Sequence, residues 1–220
     1  MSISVQVSLV LWATGTILHM VISMMVMNSW LHHEKFEIHH MNPAWFIPAV
    51  GNVIVPLAGV PLGYIELSWF FFSIGMMFWL ILMIIVFNRI IFHTPLPEKL
   101  LPTLFILIAP PAVGFMAYVK LTGGLDAFAQ VLFNFALFLT ILLLSQLPRF
   151  ARLPFFMSWW AYSFPLAAMS IASMVMGLIT GKEFYGNIGL GLLFSLSALV
   201  VLLLFKTFKA AQKGKICVAD

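Results

Sequence analysis

Seven apolar runs follow one another along the chain, at residues 5–27, 44–63, 67–91, 100–119, 127–147, 156–179 and 188–205. Each is close to the roughly 20 residues that cross a bilayer as a helix. Short polar connections separate them, and a polar tail occupies 206–220. The pattern predicts an all-α polytopic membrane protein, with one transmembrane domain over 1–220.

Prolines divide these runs into two kinds. The second holds Pro48, Pro56 and Pro61, the fourth Pro102, Pro110 and Pro111, and the sixth Pro165, while the other four runs hold none. Proline removes a backbone donor and crowds the preceding turn, so the second, fourth and sixth helices are expected to kink. In a bilayer the carbonyl freed by a kink must meet another helix or a water-filled cavity. The sixth run is therefore read as an inner helix, with Phe164 at the bend that Pro165 makes. Because 54 residues separate Pro56 from Pro110, and again Pro111 from Pro165, the unit reads as a hairpin of one kinked and one straight helix, present three times. The first run is then a lone straight helix, and the sequence reads as the C-terminal part of a larger array. The kinked helices are expected on the inside of an arc and the straight ones on its outside.

A chain that is 63% hydrophobic and 8% charged lies outside the range of soluble domains. Its net charge of +4 is topological information rather than a sign of nucleic acid, since the basic residues sit at the ends of runs and in the tail. Lys35, Arg89, Lys99, Arg149, Arg152, Lys206, Lys209, Lys213 and Lys215 fall on one side, and Lys120 and Lys182 on the other. That bias places the N-terminus outside and the C-terminus in the cytoplasm. The N-terminus has no basic region of the signal-peptide kind, so the first run is read as a permanent span. The one cysteine, Cys217, leaves no disulfide within the chain.

Most membrane chemistries lack their residues here. The runs carry neither the carboxylates of a proton pump nor the arginine series of a voltage sensor. The last run has no lysine for a retinal Schiff base before Lys206, and His19 has no partner histidine for haem. His19 reads as a hydrogen-bonded packing residue. Ser195 and Ser197 have no base at matching depth. The loop His32-His-Glu-Lys-Phe-Glu-Ile-His-His40 holds potential metal ligands, but a flexible loop fixes no geometry, and no metal or other cofactor is assigned. Asn42-Pro43 is a helix start. No enzymatic activity is expected.

Small residues gather at the bends: Gly51, Asn52, Ala58 and Gly59; Ala109, Ala112, Val113 and Gly114; Ala161, Ala167, Ala168 and Ser170. They suit close helix packing. They also suit a narrow conduit without fixed charge, whose selectivity rests on desolvation and backbone dipoles and which a bulky apolar side chain can close.

Four separated motifs bring a resemblance into view: Asn42-Pro-Ala-Trp-Phe-Ile-Pro-Ala-Val-Gly-Asn-Val-Ile-Val-Pro56, Leu96-Pro-Glu-Lys-Leu100, Leu104-Phe-Ile-Leu-Ile-Ala-Pro-Pro-Ala-Val-Gly114 and Trp159-Trp-Ala-Tyr-Ser-Phe-Pro165. In these the chain resembles the tellurite-resistance/dicarboxylate transporter family, to which the slow anion channels of plant guard cells belong. The resemblance implies ten helices in five hairpins, an uncharged pore lined by the odd-numbered kinked helices, a phenylalanine plug in the ninth, and a homotrimer. The seven runs then match the fourth to tenth helices, without the first three. Phe164 takes the position of the plug, and Gly51, Asn52, Pro56, Pro110, Pro111, Gly114, Pro165 and Ala168 line or bend the pore.

The expectation is a passive channel for small inorganic or organic anions in a bacterial inner membrane. Two alternatives stay open: a secondary exporter of tellurite or C4-dicarboxylates, and a non-conducting scaffold or truncated remnant.

Overall fold

A computed structural model describes residues 3–32, 34 and 36–214. His33, Lys35, Lys215 and Cys217 lie outside the described residues. The protein is 85% helix, with no strand among the described residues. Among the described residues six helices are long and apolar enough to cross a membrane: Ile3–His32, Ile65–Phe92, Glu98–Thr122, Ala127–Leu144, Met157–Thr180 and Glu183–Gln212. The expected span at 44–63 corresponds to a shorter apolar helix, Pro43–Gly59.

Three of these helices are composite. A 3₁₀ turn, Pro43–Phe46, runs into α2 (Ile47–Gly59), which follows the long α1 (Ile3–His32). After α3 (Ile65–Phe92) an 11-residue 3₁₀ segment, Glu98–Ile108, runs into α4 (Ala109–Thr122). After α5 (Ala127–Leu144) and the short α6 (Leu147–Phe150), the 3₁₀ segment Met157–Tyr162 runs into α7 (Ser163–Thr180), and α8 (Glu183–Gln212) closes the chain. These three are the helices that the prolines single out.

The prolines act differently from the expected mid-helix kink. Pro48, Pro110, Pro111 and Pro165 sit in the first turn of their α-segments, just past the 3₁₀ junction. There the tighter winding supplies a substitute donor. The Ala44 carbonyl, which Pro48 cannot reach, accepts from the Ile47 amide, and the Ile106 carbonyl, out of reach of Pro110, accepts from Ala109. Those two carbonyls need no water. Pro56 differs, since it lies inside α2, so Pro48 and not Pro56 occupies the place corresponding to Pro110. The 54-residue spacing therefore links equivalent positions for Pro111 and Pro165, each third in its α-segment, but not for Pro56 and Pro110.

The chain forms two compact units, one of residues 1–95 and 113–132, the other of 96–112 and 133–220. In the first, α2 packs on α3 where Gly75 faces the backbone of Ala49 and Val53. Helix α1 lies on α2 through His19, whose imidazole covers Gly51 and whose Nε2 is 3.1 Å from Ser23 Oγ, and through Trp12, whose indole N–H donates to the Val55 carbonyl at 3.0 Å. This is the packing role expected for His19. The Asn42 side chain accepts from the Ala44 amide at 3.0 Å and starts the first composite helix as expected. Asp126 caps α5 by accepting from the Ala129 amide at 2.9 Å and from the Tyr118 hydroxyl at 2.6 Å. Those two bonds, the amide first, hold its carboxyl below the ordinary aspartate range. Arg89 is buried at the end of α3, where it donates to the Thr94 carbonyl and folds the following segment back.

In the second unit, α7 and α8 form a tight hairpin. Gly181, at φ 67°, ends α7 in the left-handed region that glycine enters without cost. Gly177 and Gly189 then bring the two backbones together, and the Ser170 hydroxyl donates to the Gly189 carbonyl at 2.7 Å. Phe105, Phe150 and Tyr162 make an edge-to-face cluster, with centroids 4.7 Å apart for Phe105 and Tyr162.

Candidate functional site

The composite helices carry no charge between Pro43 and Gly59 or between Met157 and Thr180. Of the helix Glu98–Thr122, 89% of the most apolar stretch is buried, against 11% for α1 and 17% for α8. For Met157–Thr180 the share is 44%, so much of α7 stays open.

That open side has a defined composition. Phe164, Ile171 and Leu178 recur every seven residues, which puts them on one stripe of the helix, and they are 47, 52 and 84% exposed. Ala167 and Val175 beside them are half-buried. No polar or charged side chain interrupts the stripe from Phe164 to Leu178. Phe164 is its first member, two residues past the 3₁₀ junction, between Tyr162 and Leu166 that are each 6% exposed. The tight 3₁₀ winding before Ser163 turns Tyr162 inward, while the α-winding after it leaves Phe164 outward.

The other residues singled out by sequence fall as follows. Pro165 and Ala168 are buried in the same unit, as are Pro110 and Pro111 at the start of α4. Gly51 faces the His19 ring, and Gly114 faces the Met76 sulfur; a Cβ built on Gly114 would lie 3.1 Å from it. Pro56 is buried inside α2 and gives no amide to the Asn52 carbonyl. Asn52 is fully buried, its amide nitrogen donates to the Pro48 carbonyl at 2.8 Å, and its Oδ1 has no partner among the described residues. The interior of α2 thus holds one side-chain acceptor, Asn52 Oδ1, that no described residue pairs.

The histidine loop is held by local bonds. His39 Nδ1 lies 3.1 Å from Glu37 Oε2, and His40 Nδ1 accepts from the Glu37 amide at 3.1 Å. No group of three or more histidine, cysteine, aspartate or glutamate side chains converges among the described residues.

Sequence reading passed over Lys206. Its ammonium sits 5.0 Å from the Trp159 ring centroid and 5.9 Å from that of Phe155. The available signal was the pairing of a lysine at the end of the last apolar run with the aromatic-rich start of the sixth.

With this geometry in place, comparison with known proteins is direct. The sequence profile of the voltage-dependent anion channel family, SLAC1, matches residues 2–208. The chain belongs to this family. The SLAC1-family assignment accounts for several relatives. An uncharacterized transporter of Methanocaldococcus jannaschii is 26% identical over 94% of this chain and 67% of its own length. An S-type anion channel of Arabidopsis thaliana is 35% identical over 60% of this chain and 21% of its own length. A tellurite resistance protein homolog of Haemophilus influenzae is 26% identical over 91% of this chain and 61% of its own length. The chain thus spans about two thirds of the prokaryotic relatives and a fifth of the plant channel. The names in this family are those of channels and transporters, not of enzymes.

Proposed function

We propose that this SLAC1-family chain contributes to a passive path for small anions, closed by Phe164. The observation that carries the reading is the uncharged open stripe of α7 with Phe164 at its head, at a junction held in place by buried neighbours. A packing residue between helices of this chain would be buried, and Phe164 is 47% exposed. A wall without fixed charge discriminates through desolvation and backbone dipoles, which suits weakly hydrated monovalent anions. Pro56, Asn52 and Gly51 of α2, Pro110, Pro111 and Gly114 of the fourth span, and Pro165 and Ala168 of α7 shape the path in this reading. Asn52 is the member whose unpaired oxygen marks a place for water. A homotrimer, a bacterial inner-membrane location and a cytoplasmic C-terminus belong to the same proposal.

The tellurite-resistance relative favours one competing reading, a secondary exporter. The two differ in driving force. In proteoliposomes a passive path passes chloride or nitrate down its own gradient at a rate indifferent to an imposed pH gradient. An exporter moves its substrate only when that gradient is present, and such a result would replace the channel reading.

The basic bias sets the orientation, so the connection after α1 should face the cytoplasm. Phe36→Cys in a Cys217→Ser background should resist an impermeant thiol reagent in intact cells and react after permeabilisation. Labelling in intact cells inverts the topology.

A further inference from the structure

Two cavities in the unit of residues 96–112 and 133–220 share one residue, Lys206. The first, of about 630 Å³, is lined by Lys99, Ser158, Lys206, Lys209 and Lys213 together with aromatic residues, and no carboxylate among the described residues lines it. The second, of about 490 Å³, is apolar, with Phe105, Leu166, Leu192, Leu199 and Leu202 in its wall. Both volumes are in the range of ligand pockets, roughly 300–1,000 Å³. Trp159 and Tyr162 also line the apolar cavity. Each is more than nine-tenths buried, and neither the Trp159 indole N–H nor the Tyr162 hydroxyl has a hydrogen-bond partner among the described residues. Burying a donor unpaired costs on the order of 1–3 kcal/mol, so two in one wall point to an acceptor that the described residues do not supply.

We propose that the two cavities form one binding site for an anionic phospholipid, its phosphate among the lysines, its ester oxygens accepting from Tyr162 and Trp159, and an acyl chain in the apolar cavity. The order of the chemistry along α8 matches the order of parts in a lipid. From Lys206 to Leu192 is about 21 Å of helix at 1.5 Å per residue, somewhat more than half of a hydrocarbon core of about 30 Å. One end of the site therefore lies at headgroup level when the other reaches mid-membrane. Convergent lysines without a carboxylate select anionic over zwitterionic headgroups, as basic pockets between membrane helices do. A free phosphate would fill only the first cavity and leave both buried donors unpaired. The cation–π contact of Lys206 on Trp159 fixes the ammonium where the two cavities meet. The site is independent of the permeation path, since none of its residues belongs to the open stripe of α7.

The test uses purified, delipidated protein in detergent, with phosphatidylglycerol, phosphatidylcholine of the same chains, and soluble glycerol phosphate as probes, read by native mass spectrometry. Phosphatidylglycerol is expected to bind at least about tenfold more tightly than phosphatidylcholine, the factor given by roughly 1.4 kcal/mol. Glycerol phosphate should not compete with it. Lys206→Gln/Lys209→Gln should abolish the preference, and Lys209→Gln/Lys213→Gln, at exposed positions that keep the fold, should reduce it severalfold. Tyr162→Phe should weaken phosphatidylglycerol while leaving its preference over phosphatidylcholine largely in place. Equal binding of the two lipids, full competition by glycerol phosphate, or an undiminished preference in both lysine pairs would overturn the proposal.

Discussion

Phe164→Ala should raise anion current on the order of tenfold or more, the factor that follows from lowering a barrier by about 1.4 kcal/mol. A large apolar ring at a constriction blocks by bulk and by keeping the constriction dry, and removing it lets water and then anions through. The competing view makes Phe164 a buried packing residue, whose truncation costs roughly 3–5 kcal/mol through a cavity and lowers yield without raising current. At 47% exposure the ring leaves no closed cavity behind within this chain, so yield and melting temperature should hold. Phe164→Leu should fall between wild type and alanine, since a smaller apolar side chain still dries the constriction. Paired recordings and size-exclusion profiles separate the views: unchanged current with poor yield returns Phe164 to packing.

The second large effect lies in the α2–α3 crossing. A Cβ on Gly75 would stand 2.4 Å from Val53 Cγ2, 2.8 Å from the Ala49 carbonyl oxygen and 3.0 Å from the Val53 amide nitrogen. Backbone cannot step aside as a side chain can. Gly75→Ala should therefore cost about 1–3 kcal/mol by overpacking, and Gly75→Leu should prevent a monodisperse preparation. Two other glycines calibrate this. Gly114→Ala meets the flexible end of Met76 and should be nearly neutral. Gly191→Ala meets nothing within 4 Å and should stabilise α8 by up to about 1 kcal/mol, the difference in helix propensity. Thermal unfolding in detergent orders the three. Equal effects at Gly75 and Gly191 would mean that the crossing is not packed as described.

Apolar run length made the helices legible, because a bilayer allows few alternatives to a helix of about 20 residues. The prolines marked the right three helices, yet the form of the irregularity was hidden. A 3₁₀ segment such as Glu98–Ile108 is written in the same residues as an α-helix, and only the hydrogen-bond register distinguishes them. Hence Pro165 appeared to be a mid-helix kink when it sits in a first turn, and Pro56 appeared equivalent to Pro110. Phe164 stood out through its neighbour Pro165, whereas its stripe with Ile171 and Leu178 needed burial to become visible. Arg89 read as an interfacial charge, and its burial depends on the segment up to Thr94 folding back over it. The Lys206 cavities draw on residues such as Lys99 and Ser158, 59 positions apart and joined by a hydrogen bond from the Ser158 hydroxyl to the Lys99 carbonyl. No local pattern encodes that meeting. Family-level motifs reached Phe164 but could not reach a site assembled from the edges of six elements.

The central claim is an uncharged path that passes anions, and the reversal potential of the Phe164→Ala protein tests it most directly. With a chloride gradient across a planar bilayer and a large organic cation as counterion on both sides, the current should reverse near the chloride equilibrium potential. Exchanging the cation for potassium should leave that potential in place. A reversal that moves toward the potassium potential would contradict the account.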